Sequence, residues 1–451
     1  MEPSQIDLTL EEIRSALEAG QIQSAIEALI KLHPVDRADA FSDLNDADQA
    51  VILPQLDIQS TADLLEELED EEAAVVANAL PTELLADILD EMEPDEAADV
   101  LGDLPPDRAA EALAEMEEAK DVIPLLGLPD ETAGGLMTTS YIAVRPRTTA
   151  SQTIDFLRQI EPDEETPYYI YVINKENLLV GIVGMRELII ANPDAEVQTF
   201  MDVEVISAKI SDDQEEVARL MSRYDLAAMP VVDGTGVLRG VITHDDVLDV
   251  VEDEATEDIY RLANVPDADL SIYSPVSLSV RRRLPWLYLS TLTALFASWV
   301  ISIFQDLFEQ VAVLAVFQSV VAGMGGTTAT QSLAMIVRAI ALGEITVHEA
   351  WEPLLKQVLT GLIQGVAIGT FAGLGVWLWQ GNPFLGLILG LALIGNMIIA
   401  VIVGTLIPLF LKALRLDPAL ASAVLVTSVT DSAGFGLFLG LASIFLPKLI
   451  A

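Results

Sequence analysis

The sequence contains no cysteine, which removes disulfide staples and thiolate metal sites and leaves the redox compartment unaddressed. Histidine is nearly as scarce: His33, His244 and His348 are too few and too scattered to make a soft-metal site. Basic residues number 23 against 70 acidic ones, a net charge of −47, so phosphate backbones and anionic surfaces are repelled and nucleic acid is excluded as a partner. Walker and Rossmann glycine motifs are missing, and no set of nucleophile, base and oxyanion donors can be assembled. An enzyme is therefore the least favoured class. The opening MEPSQIDLTLEEI has neither a basic leader nor an apolar signal core, so the acidic region is expected to stay in the cytoplasm.

The charge is unevenly placed. Residues 1–280 carry 63 Asp or Glu against 15 Lys or Arg, a balance of −48, whereas residues 281–451 carry 7 against 8, a balance of +1. Carboxylate oxygen is thus the abundant ligand, and it suits hard cations such as Mg2+ and Ca2+.

Residues 7–126 read as short amphipathic helices separated by proline and acid. The stretch PTELLADILDEMEPDEAADVLGDLPPDRAAEALAEME repeats a unit of roughly a dozen residues, with Pro81, Pro94, Pro105 and Pro106 suited to helix starts. A small helical solenoid is expected over 1–129. From 137 to 255 the period changes: YYIYVIN, LLVGIVG, AAMPVVD and LRGVITH read as strands, alternating with helices at 150–160, 185–191, 213–224 and 244–252. The order occurs twice in copies of about 60 residues, and GVITHDDVL carries glycine, a β-run, Thr243 and Asp246 in the order of many CBS (cystathionine-β-synthase type) modules. Two such modules are expected, at 130–200 and 201–255, followed by a connector at 256–280. A transmembrane domain of five helices is expected over 281–451, with spans near 286–304, 311–336, 358–379, 384–411 and 420–447.

Loop charges predict orientation. With the N-terminus inside, the inner flanks hold Arg281, Arg282, Arg283, Arg338, Lys356, Lys412 and Arg415, and the outer flanks only Lys448, so the C-terminus is expected outside.

Two features within the spans carry chemistry. Asp431 is a lone carboxylate near the middle of the fifth, with Thr427, Ser428 and Thr430 within one turn. A charge at bilayer depth costs about 2.5–3.5 kcal/mol on insertion scales and marks an ion or proton path; the alternative is a protonated group hydrogen-bonded between helices. The second span carries GMGGTTATQS, with Thr327, Thr330 and Gln331 where lipid-facing residues should be aliphatic, a pattern suited to a wet cavity. Glycines at 365, 369 and 373, at 386 and 390, and at 436 and 440 follow small-xxx-small spacing for close helix packing. Five helices are few for a self-contained aqueous path, so a symmetric homodimer with a pore between protomers is expected. Two copies of Asp431 would then favour a divalent over a monovalent ion.

DETAGGLM at 130–137, PYYIYVIN at 167–174, DQEEVARLM at 213–221, DDVLDVVEDEATEDI at 245–259 and DPAL at 417–420 resemble the MgtE magnesium channels across essentially the whole chain. The resemblance implies a multi-domain homodimer in the cell (plasma or inner) membrane: an all-α superhelical N domain, α/β tandem CBS modules, a plug helix and five transmembrane helices. It implies that Asp431 is the pore carboxylate, that Asp95, Asp99, Glu215, Asp225, Asp246, Asp249, Glu257 and Asp258 bind regulatory Mg2+, and that Asp417 lies beside an inner-face ion site. The family's second-span motif, close to GGNxGNQS, is GGTTATQS here, so Thr327 and Thr330 replace two amides; Ala423 and Val424 stand where a Gly/Asn-Pro step is usual, and Val401 where an asparagine is common. The expected function is Mg2+ import, shut by cytosolic Mg2+ at the acidic boundaries. The alternatives are a divalent cation carrier of altered selectivity (Co2+, Mn2+), a proton-coupled exchanger, or a membrane-anchored sensor. ATP is a secondary expectation, with Thr243 and Asp246 against its ribose.

Overall fold

The computed structural model describes residues 3–160, 169–263, 265, 270, 272, 274–345, 350–414, 416, 418 and 422–450. The chain divides into two compact units, Met1–Val250 and Val251–Ala451.

In the first unit, short helices pack in alternation. Pro34–Ser42 lies on Ile58–Glu66, which lies on Thr82–Leu89, which lies on Pro106–Glu115, while Asp70–Ala79 packs on Pro94–Asp103. This is the expected superhelix. Pro34, Pro94 and Pro106 open their helices, where a missing N–H costs nothing. Polar ties run between alternate helices: the buried Arg37 donates to Asp63 (3.2 Å) and to the Ser60 carbonyl (3.3 Å), and Asp90 accepts the N–H groups of Glu117 and Glu118.

Two three-stranded sheets follow. Strands β1 (Ala143–Val144), β2 (Tyr169–Ile173) and β3 (Leu179–Gly184) form one, and β4 (Ala208–Lys209), β5 (Ala228–Val232) and β6 (Leu238–Thr243) the other; each has a parallel and then an antiparallel pair. The duplication extends to details. Leu179 N–H donates to Gly236 O and Leu238 N–H to Asn177 O, tying the two hairpins reciprocally. Gly181 and Gly240 are matched close approaches, where a Cβ would stand 2.8 Å from Asp202 O and 2.6 Å from Thr138 O. Ala133, Met137, Ala208, Val217, Val231 and Ile242 of the CBS region share one apolar core with the helical region.

The expected helices at 150–160, 185–191 and 213–224 form at Ala150–Ile160, Met185–Ile190 and Gln214–Tyr224, but the fourth is longer, running from His244 to Leu262. The stretch expected as the plug, 256–280, thus begins inside that helix. Its first turns continue the second module's last helix, and 276–280 already belong to the first span, Val276–Ser302. The acidic run DVVEDEATED contains no glycine or proline to end the helix. Residues 264, 266–269, 271 and 273 of the expected plug lie outside those described.

In the second unit, five helices among the described residues are long and apolar enough to cross a membrane: Val276–Ser302, Leu314–Ala341, Trp351–Gln380, Pro383–Ala413 and Ala423–Ile444. The third and fourth pack most closely, because a Cβ on Gly369 would meet Gly390 O at 2.6 Å and one on Gly373 would meet Gly386 O at 2.7 Å. The same reading fails for Gly436 and Gly440: Gly440 has nothing within 4 Å and Gly436 only Val300 at 3.9 Å. On the fifth span the close approach falls at Gly434 instead, against Asn396.

Candidate functional site

Within the membrane region, the second and fifth spans pack together. Asp431 is half-buried on the fifth, and its carboxylate makes no hydrogen bond or ion pair among the described residues. Thr427 donates to the carbonyls of Ala423 (2.8 Å) and Val424 (3.1 Å), and the buried Thr430 to that of Thr427 (3.0 Å). On the second span, Thr327 donates to Gly323 O (2.8 Å) and Thr330 to Gly326 O (3.0 Å). A hydroxyl whose proton is committed to its own helix keeps only lone pairs to offer, which suits a cation or its water shell. Gly323, Thr327, Thr330 and Gln331 are all exposed and lie at helical spacing along one face. A Cβ at Gly323 or Gly326 would meet open space.

In the first unit, a second set of carboxylates forms where helix Pro94–Asp103 meets the second CBS module. Asp95 is 7% exposed, and its Oδ1 has no hydrogen-bond partner. Burial and then the charge of Asp246 push its pKa up to about 7, overriding the helix N-terminus that favours the anion. Glu96 is pushed up to about 9 by burial and then Asp95, and Asp99 up to about 7 by burial and then Asp70 and Asp130. Asp246 is raised by burial, although it accepts from Thr243 N (3.1 Å) and Oγ1 (2.7 Å) as a cap on the helix start. These carboxyls are crowded together without enough compensating cations, so protons are retained among them near neutral pH. A divalent ion fits that deficit, yet among the described residues no group of three or more carboxylate or imidazole side chains gathers into a ligand set. An ion there would keep part of its water shell, as Mg2+ readily does.

The other expected ligands separate. Glu215 and Asp225 stand at opposite ends of helix Gln214–Tyr224, roughly 15 Å apart by helix geometry, so they cannot share one ion within a protomer. Asp225 is exposed in a left-handed C-cap, φ 51°. Asp249 follows Asp246 by one turn, Glu257 is ion-paired to Arg261, and Asp258 is also engaged. Asp417 lies outside the described residues. A cavity of about 420 Å3 lined in part by Lys120, Tyr141, Asp233 and Arg239 includes neither Thr243 nor Asp246.

Sequence reasoning missed Glu96, the chain neighbour of Asp95, and Asp70 and Asp130, which only the fold brings to Asp99, and it missed Asn396. The latter had a signal: an amide amid the most apolar span. It is fully buried, donates to Val321 O (3.0 Å) and leaves its Oδ1 unpartnered.

Residues 318–441 match the divalent cation transporter family MgtE, 32–131 the MgtE intracellular N domain, and 133–194 and 196–253 the CBS domain. The chain is 39% identical over 328 residues to the magnesium transporter MgtE of Thermus thermophilus, covering 72% of each, and 36% identical over 331 residues to that of Bacillus subtilis, covering 73% of each. Among solved structures, the cytosolic domain of the Mg2+ channel MgtE in complex with ATP superimposes with a TM-score of 0.50 at 36% identity, covering 53% of this chain and 99% of that one.

Proposed function

Because the chain belongs to the MgtE family of divalent cation transporters, we propose that it is a Mg2+ channel importing magnesium into the cytoplasm, closed when cytosolic Mg2+ binds its acidic N-terminal, CBS and connector regions. The family is one of membrane ion transporters rather than enzymes, and five apolar spans fit a multi-pass membrane protein.

One observation carries the proposal: a polar stripe, Gly323, Thr327, Thr330 and Gln331, lies exposed on a membrane span that packs against the helix of Asp431, whose carboxylate has no partner among the described residues. Lipid cannot solvate such a stripe, so a second protomer would cover it and enclose a wet path about a two-fold axis. Two Asp431 carboxylates there would attract a divalent ion, while hydroxyl and amide oxygens hold its water shell loosely enough for release. The basic flanks favour a cytoplasmic N-terminus and an external C-terminus. In full-length protein in liposomes, Asp431→Ala should reduce Mg2+ entry to the protein-free rate, and entry as fast as wild type overturns the assignment. Uptake that collapses with the pH gradient at constant voltage would select the proton-coupled exchanger, and a preference for Co2+ or Mn2+ the carrier of altered selectivity.

For gating, the support is the crowded set Asp95, Glu96, Asp99 and Asp246, together with Leu262 at the end of the long connector helix. Leu262 packs against a cluster of Ala329, Leu333, Val337, Ala400, Ala423 and Val426 from the second, fourth and fifth spans. Mg2+ binding would relieve repulsion among the acids and favour the closed arrangement; depletion would release it. Glu215, Asp225, Asp249, Glu257, Asp258 and Asp417 are proposed as contributors to this sensing. ATP at the CBS modules, through Thr243 and Asp246, is a secondary proposal resting on the ATP complex of the related domain.

A further inference from the structure

We propose that Asn396 is a positioning residue for the ion path: its buried carboxamide locks the second span to the fifth and so sets the polar stripe in register with Asp431. The inference rests on the reading of Asp431 and the stripe as that path.

Asn396 sits in the fourth span, fully buried. Its Nδ2 donates to Val321 O on the second span at 3.0 Å. Two glycines make room for the amide. A Cβ built on Gly325 of the second span would overlap Asn396 Nδ2, and one on Gly434 of the fifth would stand 2.6 Å from Nδ2 and 3.0 Å from Oδ1. The carboxamide is therefore clasped by the backbones of two neighbouring helices and bonded to one of them.

Helix geometry connects this clasp to the path. Gly325 is buried while Gly323 and Thr327, two residues to either side, are exposed, so the amide grips the face opposite the stripe. Gly434 lies three residues beyond Asp431, within one turn. A shift at the amide moves both sets of polar groups. An aliphatic residue could fill the same space without leaving an unpartnered oxygen; what the amide adds is a directional tie. Ser432 Oγ and Gln318 Nε2, on the same two helices, are also buried without a partner, so the polar character is not confined to one side chain. Asn382, the other asparagine of this helix, caps its start by accepting from Phe384 and Leu385 N–H and has no such role.

The test uses full-length protein in liposomes, with Mg2+ and Co2+ fluxes and the half-saturating Mg2+ concentration measured for Asn396→Ala, Asn396→Ser, Gly434→Ala, Gly440→Ala and Asp431→Asn. Asn396→Ala and Gly434→Ala should change the Mg2+ to Co2+ flux ratio by about five- to ten-fold, the effect of losing one buried hydrogen bond at a site, with Asn396→Ser intermediate. Gly440→Ala, which enters open space, should match wild type. Gly434→Ala and Asn396→Ser keep the comparison available should Asn396→Ala fail to fold. If Asp431→Asn abolishes flux but the Asn396 and Gly434 variants keep the wild-type ion ratio and half-saturation, the positioning role is overturned and the path reading stands. If Asp431→Asn conducts normally, both are overturned.

Discussion

Under the proposed function, Mg2+ binding to the acids of the first unit should be strongly pH-dependent, because a metal can use a carboxylate only after its proton leaves. Asp95 is pushed up to about 7, Asp99 to about 7 and Glu96 to about 9, against ordinary values near 4. A carboxyl titrating near 7 is about 90% ionised at pH 8 and about 10% ionised at pH 6, so a site needing Asp95 weakens about ten-fold between them, and one needing Asp99 as well about 100-fold. The metal-free protein should respond in the opposite sense. These carboxyls hold protons in the folded chain that the unfolded chain releases above about pH 4, so folded-state stability is greatest below that value and declines as pH rises through about 7 to 9. Added Mg2+ should restore stability most at the alkaline end. Calorimetric Mg2+ titration of the full chain in detergent, at pH 6 to 8.5 in buffers of differing ionisation enthalpy, measures both affinity and protons released. Asp95→Asn should remove about one proton from that release at pH 6 and about a tenth of a proton at pH 8. A pH-independent affinity, or a metal-free melting temperature that climbs from pH 6 to 8.5, refutes the account.

Three further substitutions test the scaffold. Gly369→Leu places a side chain where Gly390 O lies 2.6 Å from the Cβ position and should separate the third and fourth spans, read as a large loss of thermal stability in detergent, whereas Gly440→Leu, which meets nothing within 4 Å in its own chain, should lose far less. Gly240→Val meets Thr138 O at 2.6 Å and should cost about 1–3 kcal/mol by overpacking, measured by denaturant unfolding of the first unit's signal. Leu85→Ala, at a fully buried superhelix position, should cost about 2–5 kcal/mol in the same assay.

Legibility in the sequence followed the length scale of the signal. The helix at 150–160 and the strand pairs around 169–184 and 228–243 were readable because period, glycine and duplication agreed locally. Asp431 and Thr327 were readable because polarity inside an apolar run is conspicuous. The end of the helix expected at 252 was not legible, because nothing at 252–256 interrupts it, and it runs to Leu262. Gly436 and Gly440 show why spacing alone misleads: small-xxx-small predicts that a helix can be approached, and the neighbour decides whether it is. The Asp95 cluster was half legible. Asp95 and Asp99 could be chosen one by one and Glu96 lies beside them on the same helix, but Asp70 and Asp130 join Asp99 only through the fold, a relation across some 30 residues that no local pattern carries.

The division of charge between the two halves has a physical logic under the proposed function. A permeation site must bind weakly enough to release its ion, and Mg2+ gives up water reluctantly, so a single carboxylate per protomer among neutral oxygens is suited to passage; a cage of acids at bilayer depth would trap the ion. A sensor has the opposite requirement. Moving a two-state equilibrium from 1:99 to 99:1 takes about 5.5 kcal/mol of differential binding, and a weak site that gains about ten-fold on closing supplies about 1.4 kcal/mol. About four such sites per switching unit suffice, and each can remain partly hydrated and rapidly exchanging. The first 280 residues, with 63 acids against 15 bases, can host that number without any one of them being a complete ligand cage. Neutralising one acid should therefore lower the steepness of closure and move its midpoint to higher Mg2+, while removing two or more should leave the path open at concentrations that shut the wild type.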